Sequence, residues 1–262
     1  MSGDLQSRLE FAVAAAKSSS LLTLEHFQSS TLAPDDKADG SPVTIADRAC
    51  ELDLRERIIN AYPDDAILGE EFDDREGTSG HEWVIDPIDG TISFVHGVPL
   101  YGTMLACLKD DNPILGVITM PALNSETVYG ATGLGAFHQI ADNTPTRAHV
   151  SSTAELSRAM LATTSMDYFT SDKHRSLYQQ MHEQSRFVRG WSDCYAIVLL
   201  ATGRVDAVIE PDVKIWDIAS IPPIISEAGG DWSAFSGAKS VREDSIIATN
   251  EQLYKDIARM VR

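Results

Sequence analysis

The sequence predicts a mixed chain of the α+β / α/β class, and three observations carry that prediction. Apolar residues Leu5, Leu9, Val13 and Ala16 recur at helical spacing near the N-terminus. Short β-rich runs then crowd the middle third, separated by Gly, Asn, Asp and Pro. From about Ser151 strand-like and helix-like segments alternate. At 262 residues, with 43% hydrophobic and 23% charged residues, the chain can bury a large core as one big domain or two intimately packed ones.

Taken in order, the first helix is expected over Leu5 to Phe27, followed by a polar loop from Ser29 to Val43. Thr44-Ile45-Ala46-Asp47 has the Thr-x-x-acid pattern that opens a helix; it would turn Leu52, Ile58 and Ile59 inward and stop near Tyr62-Pro63. Strands are expected at Ala66 to Leu68, Trp83 to Ile85, Thr103 to Leu108, Ile114 to Ile118 and Glu126 to Tyr129. Asp110-Asp111-Asn112-Pro113 and Gly133-Leu134-Gly135 read as turns.

The second part continues with a strand at Met160 to Ala162, a helix over Asp172 to Gln184, a strand at Phe187-Val188 and a helix over Asp193 to Ala201. A strand at Val205 to Ile209 precedes a helix over Asp217 to Ala228, in which Pro222-Pro223 occupy the first turns or force a kink. Ile246 to Ala248 and a closing helix over Gln252 to Val261 complete the chain. The change of pattern divides it into halves, 1–146 and 147–262, with the boundary around Thr144 to Ser151. There is no internal repeat.

Composition narrows the partners. A net charge of −18 argues against nucleic acid and anionic membranes, and an anionic substrate would need local neutralisation. The bulk of that charge reads as a solubilising surface. No run of about 18 apolar residues suggests a membrane span. Met1-Ser2-Gly3-Asp4 does not begin a secretory signal, and Cys50, Cys107 and Cys194 form no CxxC pair. A cytoplasmic protein with reduced thiols is expected.

Four acids stand apart from that surface charge: Glu70, Asp86, Asp89 and Asp217. They lie at the ends of apolar runs beside Gly and Pro. In Ile85-Asp86-Pro87-Ile88-Asp89-Gly90-Thr91 a strand is expected to end in a tight turn. Both aspartates and the Ile88 carbonyl could then face one point. Such an oxygen-only set suits Mg²⁺ or Mn²⁺ rather than zinc. Gly90-Thr91, ahead of Ile92-Ser93-Phe94, could open a short helix facing a phosphate. A plain capped turn is the alternative for this segment alone, and a helix N-cap is the alternative for Asp217.

The set as a whole resembles the inositol monophosphatase-like family of Mg²⁺-dependent, Li⁺-sensitive phosphatases. The resemblance rests on Gly69-Glu70-Glu71, the run Trp83 to Phe94, Trp216-Asp217-Ile218-Ala219 and Glu227-Ala228-Gly229-Gly230, and it spans nearly the full chain. It implies a layered αβαβα sandwich, usually dimeric, with its active site between the halves. It implies that Glu70, Asp86 and the Ile88 carbonyl hold one Mg²⁺, and that Asp86, Asp89 and Asp217 hold a second. A third, weaker ion would lean on Glu70. Thr91 paired with Asp47 would activate the attacking water, so that Asp47, Glu70 and Thr91 form the catalytic group. Gly90 and Thr91 would bind phosphate through backbone N–H groups. Lys37, in the polar loop, reads either as a solvated lysine or as a side chain closing over the site.

Within that family, Arg189-Gly190-Trp191-Ser192-Asp193-Cys194-Tyr195 and His96 to Thr103 are most similar to the histidinol-phosphate phosphatases. Ser192 departs from their usual glycine, and Ile92 stands where they often carry Lys or Arg. Asp193 is the discriminating residue. An acid suits the ammonium and imidazole of histidinol and gives little to a neutral polyol. Glu210 matches a leaving-group-binding acid, and Asp89 borders the same pocket. The alternative for Asp193 is a helix N-cap with no ligand. The reading is therefore a cytoplasmic, homodimeric phosphomonoesterase acting on a small phosphorylated metabolite, with histidinol phosphate ahead of inositol 1-phosphate, 3′-phosphoadenosine 5′-phosphate and fructose 1,6-bisphosphate. A non-catalytic metal-binding module is the remote alternative.

Overall fold

Two helices on one face of a sheet begin the architecture. The computed structural model describes residues 2–29, 35–36, 42–191 and 193–262, so Lys37 and Ser192 lie outside the described residues. Helix α1 (Ser2–Leu24) is followed by a minimal antiparallel pair, β1 (Asp35–Asp36) and β2 (Pro42–Val43). Helix α2 (Ile45–Ala61) starts as its sequence predicts: the Thr44 hydroxyl accepts the Ala46 N–H at 3.1 Å, and Asp47 accepts the Thr44 N–H at 2.8 Å. Its buried stripe is Ala46, Cys50, Leu54 and Ile58, at four-residue steps. Leu52 and Ile59, expected inward, are instead 58% and 39% exposed, because about 100° of rotation per residue turns both away from that stripe.

The first sheet runs β3 (Ala66–Gly69), β4 (His81–Asp89), β5 (Gly102–Lys109), β6 (Asn112–Met120), β7 (Glu126–Ala131), β8 (Gly135–Gln139) and β9 (Thr146–Arg147), in that spatial order. β3 and β4 are parallel and the remaining pairs antiparallel. A short helix α3 (Thr91–Val95) joins β4 to β5. Asp110 and Asp111 take left-handed φ of 48° and 65°, the two-residue hairpin turn whose twist suits the flanking strands. Side chains alternate across this sheet. Trp83, Ile85, Leu105, Cys107, Leu115 and Val117 meet α1 and α2, whereas Val84, Met104, Ala106, Ile118 and Val128 face the other way.

The second sheet takes β10 (Met160–Thr163), then after α4 (Asp172–Gln184) β11 (Phe187–Gly190), and after α5 (Asp193–Ala201) β12 (Ala207–Glu210). Helices α6 (Ile215–Ile218) and α7 (Ile221–Glu227) precede β13 (Gly230–Ser233), β14 (Ile246–Asn250) and the closing α8 (Tyr254–Val261). The spatial order is β11-β10-β12-β14-β13. The single helix expected from Asp217 to Ala228 is thus two. Pro222 and Pro223 lack an N–H to bond the preceding turn, and they sit in the first turn of a restarted helix.

Five layers result. Helices α1 and α2 cover the first sheet; α5, α6 and α7 fill the space between the sheets; α4 and α8 cover the outer face of the second. This is the αβαβα sandwich. The Glu227 carboxylate ties the middle layer to the first sheet by accepting the Gly133 and Gly135 N–H groups at 2.7 and 2.8 Å. Among the described residues no helix is long and apolar enough to cross a membrane, and all three cysteines are buried and unpaired.

Candidate active site

Acidic side chains arrive at one place from element ends. Glu70 follows the end of β3, held from below: a side chain on Gly69 would strike the Glu51 carboxylate, whose Oε2 accepts the Glu71 N–H at 2.8 Å. Arg55 in turn donates to Glu51 at 2.7 Å. The end of β4 does not turn away as the sequence suggests. The strand continues to Asp89 with a register shift between Asp86 and Asp89, so the bulge, rather than a terminal turn, brings the two carboxylates together.

Gly90 then takes φ of 90° as the cap of α3. Besides that backbone strain, a side chain there would meet Asp193 Oδ2 and the Leu100 carbonyl at 3.0 Å. The Thr91 hydroxyl donates to the Ile88 carbonyl at 3.0 Å. It is not hydrogen-bonded to Asp47, whose Oδ1 is buried with no partner and whose Oδ2 is taken by Thr44. The one Thr91 hydroxyl proton is directed to the Ile88 carbonyl. Asp217 is the third residue of α6, not its N-cap, and accepts the Lys214 N–H at 2.6 Å.

Asp86, Asp89 and Asp217 each place a carboxylate oxygen within 4.8 Å of the others'. Burial pushes Asp86 well above the usual carboxylate range, and the charges of Glu70, Asp89, Asp217 and Asp47 push it further. Burial, then Asp193 and Asp217, raise Asp89 strongly, against the Cys194 backbone N–H that donates to its Oδ2. Asp217 is raised to about 7 by burial, with Glu70 and Asp193 adding to the effect against the bond from Lys214. Asp47 also rises, through burial first and Glu70 among its neighbours. The neighbouring charges dominating these shifts are carboxylates, an arrangement that costs free energy unless a cation joins it. Asp86 Oδ1 is buried without a hydrogen-bond partner. An orphaned carboxylate oxygen amid oxygen donors fits a hard divalent cation. The acidic cluster could therefore bind a metal.

A second group adjoins the first. Glu210, at the end of β12, is raised to about 8 by burial and then by Asp193. Its Oε1 accepts from the Thr164 backbone N–H at 2.7 Å and the Thr164 hydroxyl at 3.2 Å; its Oε2 accepts from the Thr163 hydroxyl at 3.1 Å. Asp193 is the first residue of α5 rather than its cap, with a left-handed φ of 40°. Tyr168 borders the same acids: burial, then Asp193, Asp89, Glu210 and Asp217 push its phenol to about 12. Electrostatic links thus join Asp47, Glu70, Asp86, Asp89, Asp217, Asp193 and Glu210 into one connected chain of acids, while Ile88 precedes Asp89 in β4, Gly90 caps α3 and Thr91 opens it.

Sequence reasoning missed Thr44, Glu51, Thr163, Thr164, Tyr168 and the Cys194 N–H. Only Thr44 and Glu51 had a local signal, as a cap and as the acid four residues before Arg55. His138 lies on β8, and its ring Nε2 is 2.8 Å from Glu126 Oε1.

Comparison with known proteins agrees with this geometry. The family described as the Inositol monophosphatase family matches residues 4–262. A histidinol-phosphatase of Chlorobaculum parvum is 38% identical, over 98% of this chain and 96% of that protein. A histidinol-phosphatase of Mycobacterium tuberculosis is 36% identical, over 95% of each. The solved structure of an inositol monophosphatase from Anabaena (Nostoc) superposes with a TM-score of 0.84 at 28% identity, covering 98% of this chain and 96% of that one.

Proposed function

Since the chain belongs to the inositol monophosphatase family and is a phosphatase acting on a small phosphorylated substrate, we propose that its ester is L-histidinol phosphate, hydrolysed to L-histidinol and phosphate with Mg²⁺ in the acidic site. The observation that carries the substrate is Asp193. It is an acid beyond those of the metal cluster, electrostatically coupled to both Asp89 and Glu210. A cationic leaving group would relieve that crowding and a neutral polyol would not. The two histidinol-phosphatase relatives support the same substrate.

Glu70, Asp86 and the Ile88 carbonyl would hold one Mg²⁺, and Asp86, Asp89 and Asp217 a second, with a third, weaker ion beside Glu70. Mn²⁺ is a possible substitute. The bound ion supplies charge neutralisation of the phosphate and a water of lowered pKa. The chain's own groups do the rest. Asp47 presents a buried, partnerless Oδ1 and a carboxyl pushed upward by burial, which suits a base for water held with Thr91. The backbone N–H groups of Gly90 and Thr91 would hold phosphate oxygens, while Asp89, Asp193 and Glu210 would line the leaving-group side. We further propose a cytoplasmic homodimer.

Phosphate release from histidinol phosphate, inositol 1-phosphate, 3′-phosphoadenosine 5′-phosphate and fructose 1,6-bisphosphate, with Mg²⁺ and with added Li⁺, tests the reading. Histidinol phosphate should give the highest kcat/KM. A clear preference for inositol 1-phosphate would overturn the substrate and leave the chemistry standing. Asp193→Asn should impair histidinol phosphate far more than p-nitrophenyl phosphate; equal losses on both would reduce Asp193 to a helix-end residue.

A further inference from the structure

We propose that Thr164 is a positioning residue for leaving-group selectivity, holding the Glu210 carboxylate and the start of α5 in one frame. The proposal rests on the reading that Asp193 and Glu210 face the leaving group. Thr164 follows the last residue of β10, where the strand hands over to a loop. Its hydroxyl works in two directions: it donates to Glu210 Oε1 at 3.2 Å and accepts the Asp193 N–H at 3.3 Å. Its own backbone N–H reaches the same Glu210 oxygen at 2.7 Å. One side chain thus joins two acids that lie 17 residues apart in sequence and on different elements.

The frame is needed because neither acid would hold this position unaided. Asp193 sits at φ 40°, a left-handed region that strains an L-residue and persists only where the surroundings enforce it. Its N–H is fixed by Thr164, and the next N–H, that of Cys194, is fixed by Asp89 Oδ2. The opening of α5 is therefore pinned on one side to the leaving-group acids and on the other to a carboxylate of the acidic cluster. Glu210 is buried, and without directed donors its carboxylate could swing about its own side-chain torsions. Thr163 steadies one oxygen and Thr164 the other. Thr164 also links that carboxylate to the Asp193 backbone. Loss of its hydroxyl would leave the metal-cluster acids in place and blur the spacing of the two acids that select the leaving group.

The test is Thr164→Val, which keeps the branched shape and removes the hydroxyl, beside Thr164→Ser, which restores it. KM for histidinol phosphate should rise about tenfold in the valine variant, the scale of a lost hydrogen bond to a charged group. The kcat value should change less than about twofold. KM for p-nitrophenyl phosphate, whose leaving group carries no cation, should stay within about twofold, and serine should recover most of the loss. Equal losses in kcat on both esters, or no recovery with serine, would overturn the positioning role. If the wild-type protein prefers inositol 1-phosphate, the same comparison is made on that ester. A selective KM rise there keeps Thr164 while the histidinol reading fails, and a uniform loss rejects Thr164 on its own account.

Discussion

Gly116→Ala should damage metal use from a position that touches no acid. Gly116 lies in β6, where it packs against the joint between α6 and α7. A Cβ added there would stand 2.1 Å from the Ser220 carbonyl oxygen and 2.7 Å from the Ser220 carbonyl carbon and Cα. All three are backbone atoms, so no rotamer change can make room, and the joint must lift by roughly 1 Å to restore an ordinary contact. Ser220 is three residues beyond Asp217, at the N-cap of α7 just past the short helix that carries Asp217. The same displacement therefore reaches a carboxylate that must stay within 4.8 Å of two others. Overpacking of this kind costs about 1–3 kcal/mol, or a melting-temperature drop of about 2–12 °C for a chain of this size. A 1 Å misplacement of a working group lowers rate by about 100-fold. Phosphate release titrated with Mg²⁺, alongside a thermal scan, should show a higher Mg²⁺ requirement and a lower kcat in a folded protein. Gly130→Ala is the control. Its Cβ would lie 3.1 Å from the Pro223 carbonyl, inside α7 and past the joint that follows Asp217, and it should lower melting temperature without changing the Mg²⁺ requirement. A folded Gly116→Ala protein with wild-type Mg²⁺ dependence would show that the joint does not set the position of Asp217.

Three further outcomes are expected. Asp217, raised to about 7 from 3.8, withdraws up to ~4 kcal/mol from the metal-free fold as pH climbs from about 4 through 7. Metal-free protein should therefore melt lower at pH 8 than at pH 6, Mg²⁺ should raise the melting temperature more at pH 8, and Asp217→Asn should stabilise the metal-free form while losing that Mg²⁺ response. Asp65 has the opposite sign: burial would raise it, but hydrogen bonds from Ser79, Arg8 and Trp83 hold it below the ordinary range. Its stabilisation is present above about pH 4 and is lost as pH falls through its folded value. Asp65→Asn should thus cost about 2–4 kcal/mol in urea unfolding at pH 7 and progressively less below pH 4. Trp83→Phe removes one of those donors and part of the contact with Phe11 and Tyr62, and should cost about 1–3 kcal/mol by the same measurement.

Much of the fold was legible because its local signals agree with its packing. The Thr44 cap, the aspartate hairpin turn and the α4 and α5 boundaries all follow from sequence within one element. The failures are of two kinds. Leu52 and Ile59 were misplaced because apolar content alone does not choose a helix face; the four-step run of Ala46, Cys50, Leu54 and Ile58 does. The missed strands β1, β2, β8, β9 and β13 are short and lie at or near sheet edges, where polar and apolar residues mix and the pattern weakens.

The site divides along the same line, and the division has a physical origin. Glu70 and Asp89 stand where a strand ends, Asp86 beside the bulge of β4 and Asp217 in the first turn of the short α6, and such places are written in nearby Pro, Gly and capping residues. Asp86 and Asp89 share a bulge three residues long, and Asp217 is held by Lys214, three residues away. The groups that aim the remaining acids come from far along the chain. Asp89 is met by an N–H 105 residues away, and Glu210 by a threonine 46 residues away. A backbone N–H has no side-chain signature at all, and a threonine at a strand end looks like any other β-former. Short-range order therefore exposes the acidic cluster to sequence reading, whereas the leaving-group side depends on how α5 and β10 dock. It follows that relatives can keep every acid of the cluster and still differ in the ester they accept. In this chain that difference should be sought at Thr164, Asp193 and Glu210.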